Sequence, residues 1–418
     1  MTITSAIKSL KTWGVRGAID FAFRWPTMYR LKHSDKSHGA APSRGLTLIG
    51  PFSSHSGNSN TMRNFARMLK LAGIPFQTFD MNRKPTIPKT DYDDILTPRP
   101  VFDLGRYDHV IELFTNHTPI ASNRLHALLA FWEFGSGFDF AFPDSALSGL
   151  PLIAMSDFNE HLFRSCAMKA NNIYKIRHPL VFSCHTATPS KILRPKYRIR
   201  DDAYVVFFNF DYGSSYYRKN PEGVMRAFAK AFPQDSETLL LLKTSNAEKH
   251  PATSKRLHSL AKSLGLKSDR LLLIEGAVPQ SDMSGFFKTC DVYISLHRGE
   301  GFGIGMTEAM AYGKPVIATD YSANTEFCRE TTSIPVPYKL VAPQQHEIDN
   351  PAYSHVTLWA DPDIEFAAEA LRKCKDHPAY AQKIGTAGNL FVTEYFSLEN
   401  FKRDVENFLD SPAGNTSV

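Results

Sequence analysis

The sequence predicts an α/β protein made of two doubly wound domains, each with a parallel sheet between layers of helices. Short apolar runs typical of buried strands alternate with longer amphipathic stretches typical of helices. This alternation stops around residues 178–200 and then restarts. A length of 418 residues also suits two such domains better than a single core.

The composition is that of an ordinary folded protein and excludes several classes. Hydrophobic residues make up 43% of the chain and charged residues 22%. The net charge of +6 suits anionic ligands but is too small to indicate nucleic acid. No apolar run approaches the roughly 18 residues that a membrane-spanning helix needs. The cysteines lack zinc-ligand spacing and predict reduced thiols in a cytoplasmic protein: Cys166, Cys184, Cys290, Cys328 and Cys374.

Residues 1–44 are expected to form a basic amphipathic N-terminal segment. Six Lys and Arg residues between positions 8 and 32 are spaced among aliphatic and aromatic residues, without the apolar core of a signal peptide. Such a pattern can lie in a membrane interface, which makes a membrane surface a predicted partner of residues 1–33 and a peripheral position a predicted location. A helix packed on the body of the protein explains the pattern equally well.

The first domain is expected at 45–185. Strands separated by helices indicate parallel βαβ units. The apolar runs predict strands at 46–50, 76–79, 109–114, 129–134 and 150–155, and helices at 60–71, 122–129 and 158–169.

A linker is predicted at 186–200, where Pro, Thr and basic residues interrupt the pattern. The second domain follows at 201–385, and further helices at 386–418 are expected to pack back toward the first domain. The second half predicts strands at 204–210, 238–243, 271–274, 292–296 and 315–319, and helices at 222–232, 254–264, 282–288, 304–312, 363–375, 378–391 and 398–409. Ligands of open α/β sheets collect at the carboxyl ends of the strands, which places the chemistry in a cleft between the domains.

The most informative segment is 293–327, YISLHRGEGFGIGMTEAMAYGKPVIATDYSANTEF. A predicted strand leads into a glycine-rich loop and then a helix. Glycines allow backbone N–H groups to approach a bound group closely, and the helix N-terminus adds unpaired donors and a positive dipole. This arrangement predicts a diphosphate site.

Two glutamates flank that feature, Glu300 in the loop and Glu308 in the helix, with seven residues between them. Carboxylates beside phosphates would be repelled on contact, so these two are expected to face hydroxyl groups, which donate hydrogen bonds to them.

The segment resembles the E-x₇-E motif of retaining GT-B glycosyltransferases, in particular the group 1, GT4-like family. The resemblance implies two Rossmann-like domains facing a central cleft. It places Glu300 by the donor sugar and Glu308 on the nucleotide ribose, and it gives Gly301, Phe302, Gly303 and Ile304 backbone contacts to the donor. Glu326 also matches a frequent family Glu, but no chemistry is assigned to it.

A second match follows strand 204–210, in DYGSSYYRKNPEGVMRAF. It resembles the family loop in which an Arg and a Lys hold the donor diphosphate. Lys219 falls on the family Lys, whereas Gly213–Ser215 occupy the region of the family Arg. Either Arg218 substitutes for that Arg, or hydroxyls and backbone amides hold the phosphates.

Two further loops resemble donor-binding segments of the family. Backbone groups near Gly276 and Val278 would contact the base, which leaves uracil, guanine and adenine open, with a UDP- or GDP-sugar favoured. Gly57 and Asn58 are the nearest counterparts of a glycine-rich loop of the first domain that lies against the donor. An ordinary capped helix start explains these two residues as well.

A catalytic residue is also expected in the first domain, where many family members have a His that contacts the donor sugar. The matching strand end here reads AFWEF, which makes Glu133, after Trp132, the candidate. His117, at the end of IELFTNH, competes for this role.

The resemblance therefore implies a retaining glycosyltransferase without a cofactor or a bound metal. Its partners would be a nucleotide sugar and a glycan or lipid-linked glycan acceptor, as in surface polysaccharide biosynthesis. Neither Asp93–Asp94 nor Asp201–Asp202 forms a convincing metal site. The alternative is a catalytically inactive GT-B module that binds nucleotides or glycans, and the unmatched phosphate Arg is the observation that favours it.

Overall fold

A computed structural model of the chain describes residues 41–82, 84–98, 101–113, 126–138, 151–166, 172–181 and 187–411. These residues divide into two compact units. The first unit holds the described residues up to Trp132, those of Phe138–Val181 and those from Phe396 onward. The second unit holds Glu133–Gly137 and the described residues beyond Val181 up to Tyr395.

The first unit is built on a six-stranded parallel sheet with the strand order β2-β1-β3-β4-β5-β6. Its strands alternate with helices, as expected for βαβ units. The elements are β1 (Ser43–Gly50), α1 (Gly57–Ala72), β2 (Phe76–Asp80), β3 (Tyr107–Leu113), β4 (Ala127–Leu129), β5 (Leu152–Ala154), α2 (Asp157–Ser165) and β6 (Ile173–Lys175).

The last helix of the chain, α11 (Leu398–Leu409), also belongs to the first unit. It packs on α1, where Phe401 meets Phe65 edge to face at 5.2 Å between ring centroids. Arg177 pairs with Asp404 at 2.8 Å. The apolar face of this helix is part of the first unit's core.

The second unit has its own six-stranded parallel sheet, in the order β12-β11-β10-β7-β8-β9. All carboxyl ends of its strands therefore lie at one edge. The strands are β7 (Tyr204–Asp211), β8 (Thr238–Ser245), β9 (Leu271–Glu275), β10 (Val292–Ser295), β11 (Val316–Thr319) and β12 (Ile334–Val336), and β13 (Tyr338–Val341) pairs with β14 (Trp359–Pro362) in a separate antiparallel hairpin.

Helices of the second unit connect and cover these strands. The connecting helices are α3 (Ser190–Lys196), α4 (Tyr216–Lys219), α5 (Pro221–Ala231), α6 (Pro251–Ser263), α7 (Gln280–Thr289), α8 (Ile304–Ala311), α9 (Ile364–Asp376) and α10 (Pro378–Tyr395). With two parallel sheets alternating with helices, the predicted fold class is confirmed.

Three segments differ from the sequence-based expectation. The predicted linker 186–200 contains α3, which packs against α7 in the second unit because its buried Leu193 lies against Gly285. The described end of the helix predicted at 122–129 is strand β4. The strand predicted at 129–134 ends at Leu129, and the chain then passes into the second unit for Glu133–Gly137.

The structure describes four of the five cysteines and leaves out the basic N-terminal segment. Cys290, Cys328 and Cys374 are buried and form no disulfide, and Cys166 is half-buried. Cys184 and the basic segment 1–40 lie outside the described residues. Within the described ranges, no helix combines the length and the apolar character needed to cross a bilayer.

Candidate functional site

The candidate site is the loop between β10 and α8 in the second unit. Strand β10 ends at Ser295, and Gly303 caps α8 with a φ of 108°, a left-handed conformation that favours glycine. A Cβ at this position would also lie 2.4 Å from Met306 Cε. The backbone of this loop therefore turns sharply into the helix, whose first N–H groups have no acceptor within the helix. This is the geometry predicted for a diphosphate site.

Three consecutive residues, the last two of α4 and the N-cap of α5, hold this loop in place. The Arg218 guanidinium donates to the Gly299 carbonyl oxygen at 2.9 Å, and Asn220 Nδ2 donates to the Leu296 carbonyl oxygen at 2.8 Å. Lys219 is the residue between these two, and its Nζ pairs with Glu300 Oε2 at 2.5 Å. The sequence predicted Arg218 and Lys219 near the donor, and the structure brings both to Glu300.

The Glu300 carboxylate is ionised at neutral pH. Burial by itself would raise its pKa, but the charges of Lys219 and Arg218 outweigh burial and hold the pKa at about 2. Its backbone N–H donates to Ser322 Oγ at 2.8 Å, which fixes the loop to the segment after β11. Glu300 is thus a fixed negative charge able to accept hydrogen bonds.

Arg218 is less available to bind a donor diphosphate than the sequence suggested. Its side chain is 4% exposed, and its Nη2 donates to the Ser214 carbonyl oxygen at 2.7 Å. Burial opposes its charge, but Tyr353 and the carboxylates of Glu133 and Glu300 outweigh burial and raise its pKa. Arg218 therefore serves the loop and the two carboxylates at once.

Glu133 lies in the second unit, not in the predicted first domain. The segment Glu133–Gly137 packs directly on the loop, since a Cβ on Gly299 would lie 2.6 Å from the Glu133 carbonyl oxygen. Glu133 Oε1 is 3.8 Å from Arg218 Nη2. Burial raises the Glu133 pKa, opposed by Arg218, and Tyr353 hydrogen-bonds to its carboxyl group. The two predicted catalytic carboxylates thus share one arginine.

Glu308 lies on α8 and differs in kind from Glu300. Among the described residues its carboxylate makes no hydrogen bond or ion pair, and burial raises its pKa to about 7. A partly buried carboxylate without a protein donor suits an uncharged ligand group that donates hydrogen bonds.

Phe302 and the neighbouring loop residues act mainly through the backbone. The Phe302 ring is buried against Phe327, with centroids 5.4 Å apart, so the side chain anchors the loop. Gly301 is buried and Ile304 is half-buried at the first position of α8. The backbone contacts that the sequence predicted between residues 301–304 and a donor stay a prediction.

Other predicted donor-binding residues lie in two places. Gly276, with a φ of 114°, directly follows β9, and Val278 is half-exposed beyond it, both at the carboxyl edge of the second sheet. Gly57 and Asn58 begin helix α1 of the first unit, where Ser56 is the N-cap. Their contact with a donor stays a prediction.

The sequence missed several residues that complete the site. His297, fully buried, has a pKa lowered to about 4 by burial and faces Asn324. Ser322 and Tyr353, described above, come from segments far along the chain. Such contacts leave no local pattern in the sequence, and only the position of Ser322 within the motif segment could have indicated its role.

The remaining candidates take no part in this cluster. Glu326 accepts a hydrogen bond from the Tyr395 hydroxyl at 2.6 Å, a structural contact. Asp94 pairs with Arg67 in the first unit, and Asp202 pairs with Arg200. His117 lies outside the described residues. In the described part of the chain, no three His, Cys, Asp or Glu side chains are grouped to hold a metal ion.

The fold is shared with solved glycosyltransferases. HepE of Anabaena, solved with UDP and glucose, gives a TM-score of 0.64 at 15% identity, over 88% of this chain and 100% of that one. Sucrose-phosphate synthase from Thermosynechococcus elongatus gives 0.62 at 16% identity, over 88% and 98%. WaaG, a glycosyltransferase involved in lipopolysaccharide biosynthesis, gives 0.57 at 14%, over 88% and 100%. These likenesses define the chain as a protein of the GT-B fold.

Within this fold class, part of the second unit is similar to a known family. A family model described as glycosyl transferases group 1 matches residues 190–336 of the chain. This range contains the loop between β10 and α8, helix α8 itself, and Arg218–Asn220, which hold that loop in place. The predicted family resemblance is confirmed for this part of the chain.

A curated relative gives a narrower match. The lipopolysaccharide core biosynthesis mannosyltransferase LpcC of Rhizobium leguminosarum bv. viciae is 30% identical over 115 residues. That stretch is 28% of this chain and 32% of the relative, so the chain matches about a third of the relative's length.

Proposed function

We propose that this protein is a retaining glycosyltransferase that moves a sugar from a nucleotide-sugar donor to a hydroxyl group of a glycan or lipid-linked acceptor. One observation carries the proposal: an ionised glutamate, Glu300, is fixed by Lys219 and Arg218 beside the N-terminus of α8, and a second, unpaired glutamate lies on that helix. This arrangement offers an anion site next to two acceptors for hydroxyl groups.

The donor would bind with its diphosphate at the first turn of α8. There the helix dipole and the free N–H groups favour negative charge. Glu308 would accept hydrogen bonds from the ribose, and Glu300 would accept them from the donor sugar. Backbone groups at Gly276 and Val278 would contact the base, with a UDP- or GDP-sugar favoured as donor.

The chemistry would be charge stabilisation and positioning. As the bond to the leaving diphosphate breaks, N–H groups and cationic side chains would stabilise the developing charge. The sugar would pass through an oxocarbenium-like state, and the acceptor hydroxyl would attack from the side of the leaving group, which retains the anomeric configuration. Glu300 positions the sugar, and Glu133, close to the same arginine, is the second catalytic candidate.

The acceptor class rests on the relative. LpcC is named for lipopolysaccharide core biosynthesis, which supports a surface polysaccharide or lipid-linked glycan as acceptor here. Membrane contact through residues 1–33 stays a prediction. Removal of these residues should lower binding to anionic liposomes, and unchanged binding would end that part of the proposal.

An inactive nucleotide-binding module is the second candidate. The observation that favours it is that Arg218 and Lys219 are occupied by protein carbonyls and carboxylates. Transfer assays separate the two candidates, because an inactive module would bind nucleotides without transferring a sugar.

The first experiment compares thermal stabilisation by UDP, GDP and ADP, since a ligand that binds only the native state raises the melting temperature. Transfer from the matching nucleotide sugar is then measured for the wild type, for Glu300→Gln and for Glu369→Gln, a control on the exposed face of α9. We expect transfer to fall at least about 100-fold in Glu300→Gln only, as for loss of a charged contact in the transition state. Stabilisation by none of the three nucleotides would refute the proposal.

A further inference from the structure

Lys243 is a buried cation that the site described above does not use. It lies near the end of β8, with only 7% of its surface exposed. Its Nζ donates to the carbonyl oxygen of Thr244 at 2.8 Å. Among the described residues this ammonium group forms no ion pair with a carboxylate, and the charge of Asp211 acts on it without outweighing burial. A buried charge without a counter-charge is costly, and burial lowers the pKa of Lys243 to about 8.

The position of Lys243 follows from the register of the sheet. Lys243 is paired with Asn209 of β7, and residues in register on parallel strands point to the same face. On that face the Asn209 side chain accepts a hydrogen bond from the Tyr293 hydroxyl at 2.9 Å, and a Cβ on Gly305 would lie 2.9 Å from Asn209 Oδ1. Lys243 is thus one strand, or about 4.8 Å, from a residue that touches the first turn of α8.

The other neighbour of Lys243 is the predicted base-binding turn. Gly276 N–H donates to the same Thr244 carbonyl oxygen at 3.1 Å. The Lys243 ammonium therefore lies between the start of α8 and the end of β9. A nucleotide that reaches from one to the other would pass over it.

The charged groups around Lys243 leave it free for such a ligand. Asp211, at the end of β7, influences Lys243 but accepts hydrogen bonds from Gly213 N–H and Asn246. Glu275, at the end of β9, is bonded to His258, Ser254 and Tyr212. By contrast, Lys219, the residue that matches the family's phosphate-binding lysine, is paired with Glu300.

We propose that Lys243 is the cation that binds the diphosphate of the nucleotide-sugar donor in this protein. Members of the resembled family have an arginine in the loop that Gly213–Ser215 occupy here. Lys243, on β8, would supply the positive charge of that arginine. The inference rests on the proposed function and assigns a phosphate contact that the sequence comparison did not. We assign the diphosphate, and not a carbonyl group of the base, as the ligand of Lys243. A buried ammonium group without an ion pair is compensated by an anion and not by a neutral carbonyl.

The test replaces Lys243 by Met, which has a similar length and no charge, and replaces the exposed Lys255 of α6 by Met as the control. Binding of nucleoside, nucleoside monophosphate and nucleoside diphosphate with the preferred base is measured by calorimetry on the full chain. We expect Lys243→Met to bind the diphosphate about 10- to 100-fold more weakly, as for a hydrogen bond to a charged group, and the nucleoside unchanged. Lys255→Met should bind all three ligands like the wild type.

A second measurement separates binding from folding. Inorganic pyrophosphate should compete with the diphosphate in the wild type and far less in Lys243→Met, while the melting temperature without ligand should not fall, since the variant loses an uncompensated charge. An equal loss for nucleoside and diphosphate, a lowered melting temperature without ligand, or no loss at all would overturn the inference. A wild type that binds no nucleoside diphosphate would instead refute the proposed function.

Discussion

Replacement of Glu308 by Gln should stabilise the folded protein and lower its affinity for a nucleotide. Burial raises the Glu308 pKa from 4.5 to about 7, and no protein group in the described residues compensates the charge. Each pKa unit corresponds to about 1.4 kcal/mol, so ionised Glu308 destabilises the native state by up to about 3 kcal/mol at pH 8. The partial exposure of this residue makes the figure an upper bound.

The effect has a defined pH window. The folded-state pKa of Glu308 lies above its unfolded value, so the native state binds more protons than the unfolded state between about pH 4.5 and pH 7. The contribution of Glu308 to stability is therefore greatest below pH 4.5 and is lost as the pH rises to 7. The gain from Glu308→Gln should be about 1 kcal/mol or less at pH 5 and should reach its full value at pH 8.

Thermal unfolding at the two pH values tests this reasoning. For a unit of this size, a change of 1 kcal/mol moves the melting temperature by about 2–4 °C, so a gain of up to roughly 6–12 °C is expected at pH 8. Glu369→Gln, on the exposed face of α9, should show the same small effect at both pH values. A gain from Glu308→Gln that is equal at pH 5 and pH 8, or a loss at pH 8, would refute the assignment of an uncompensated charge.

The same variant links stability to ligand binding. A glutamine offers one acceptor oxygen where the carboxylate offers two, so nucleotide binding should weaken about tenfold or more if Glu308 holds the ribose. Stability and affinity would then change in opposite directions, as expected at a binding site that carries an uncompensated group.

Two further changes test how the loop is built. Arg218→Met should lower the free energy of unfolding by about 3–5 kcal/mol, because it leaves the buried Glu133 carboxylate without its arginine, and addition of Glu133→Gln should restore part of the loss in denaturant titrations. Gly303→Ala should cost at least about 1–3 kcal/mol, because a Cβ would both strain the left-handed backbone and lie 2.4 Å from Met306 Cε. Gly313→Ala is the matched control, since it also has a positive φ, 69°, but open space around the Cβ; an equal cost in both variants would contradict the close-contact argument.

Much of the second unit could be predicted from the sequence because its signals are local. An apolar run such as 204–210 marks a buried strand, and the glycines of 299–305 mark a sharp turn into a helix. Both properties depend on neighbours a few residues apart. The loop, helix α8 and the positions of Glu300 and Glu308 were therefore predicted close to where the structure has them.

Boundaries and partners could not be predicted in this way. The sequence predicts a linker where helix α3 lies, because prolines and basic residues surround the single buried Leu193. Glu133 was assigned to the first domain because chain order says nothing about the excursion of Glu133–Gly137 into the second unit. Short strands such as β6 carry too few residues for a recognisable period.

The sequence by itself determined the fold class, the glycine-rich turn before α8 and the identity of the two glutamates, because these depend on residue type and short-range spacing. The tertiary structure alone decided which charges are compensated. Glu300 is held by Lys219 and Arg218, whereas Glu308 is partly buried without a counter-charge and Lys243 is buried without an ion pair. Charge compensation depends on distances of a few ångströms between strands and loops far apart in the chain, and no local pattern records those distances.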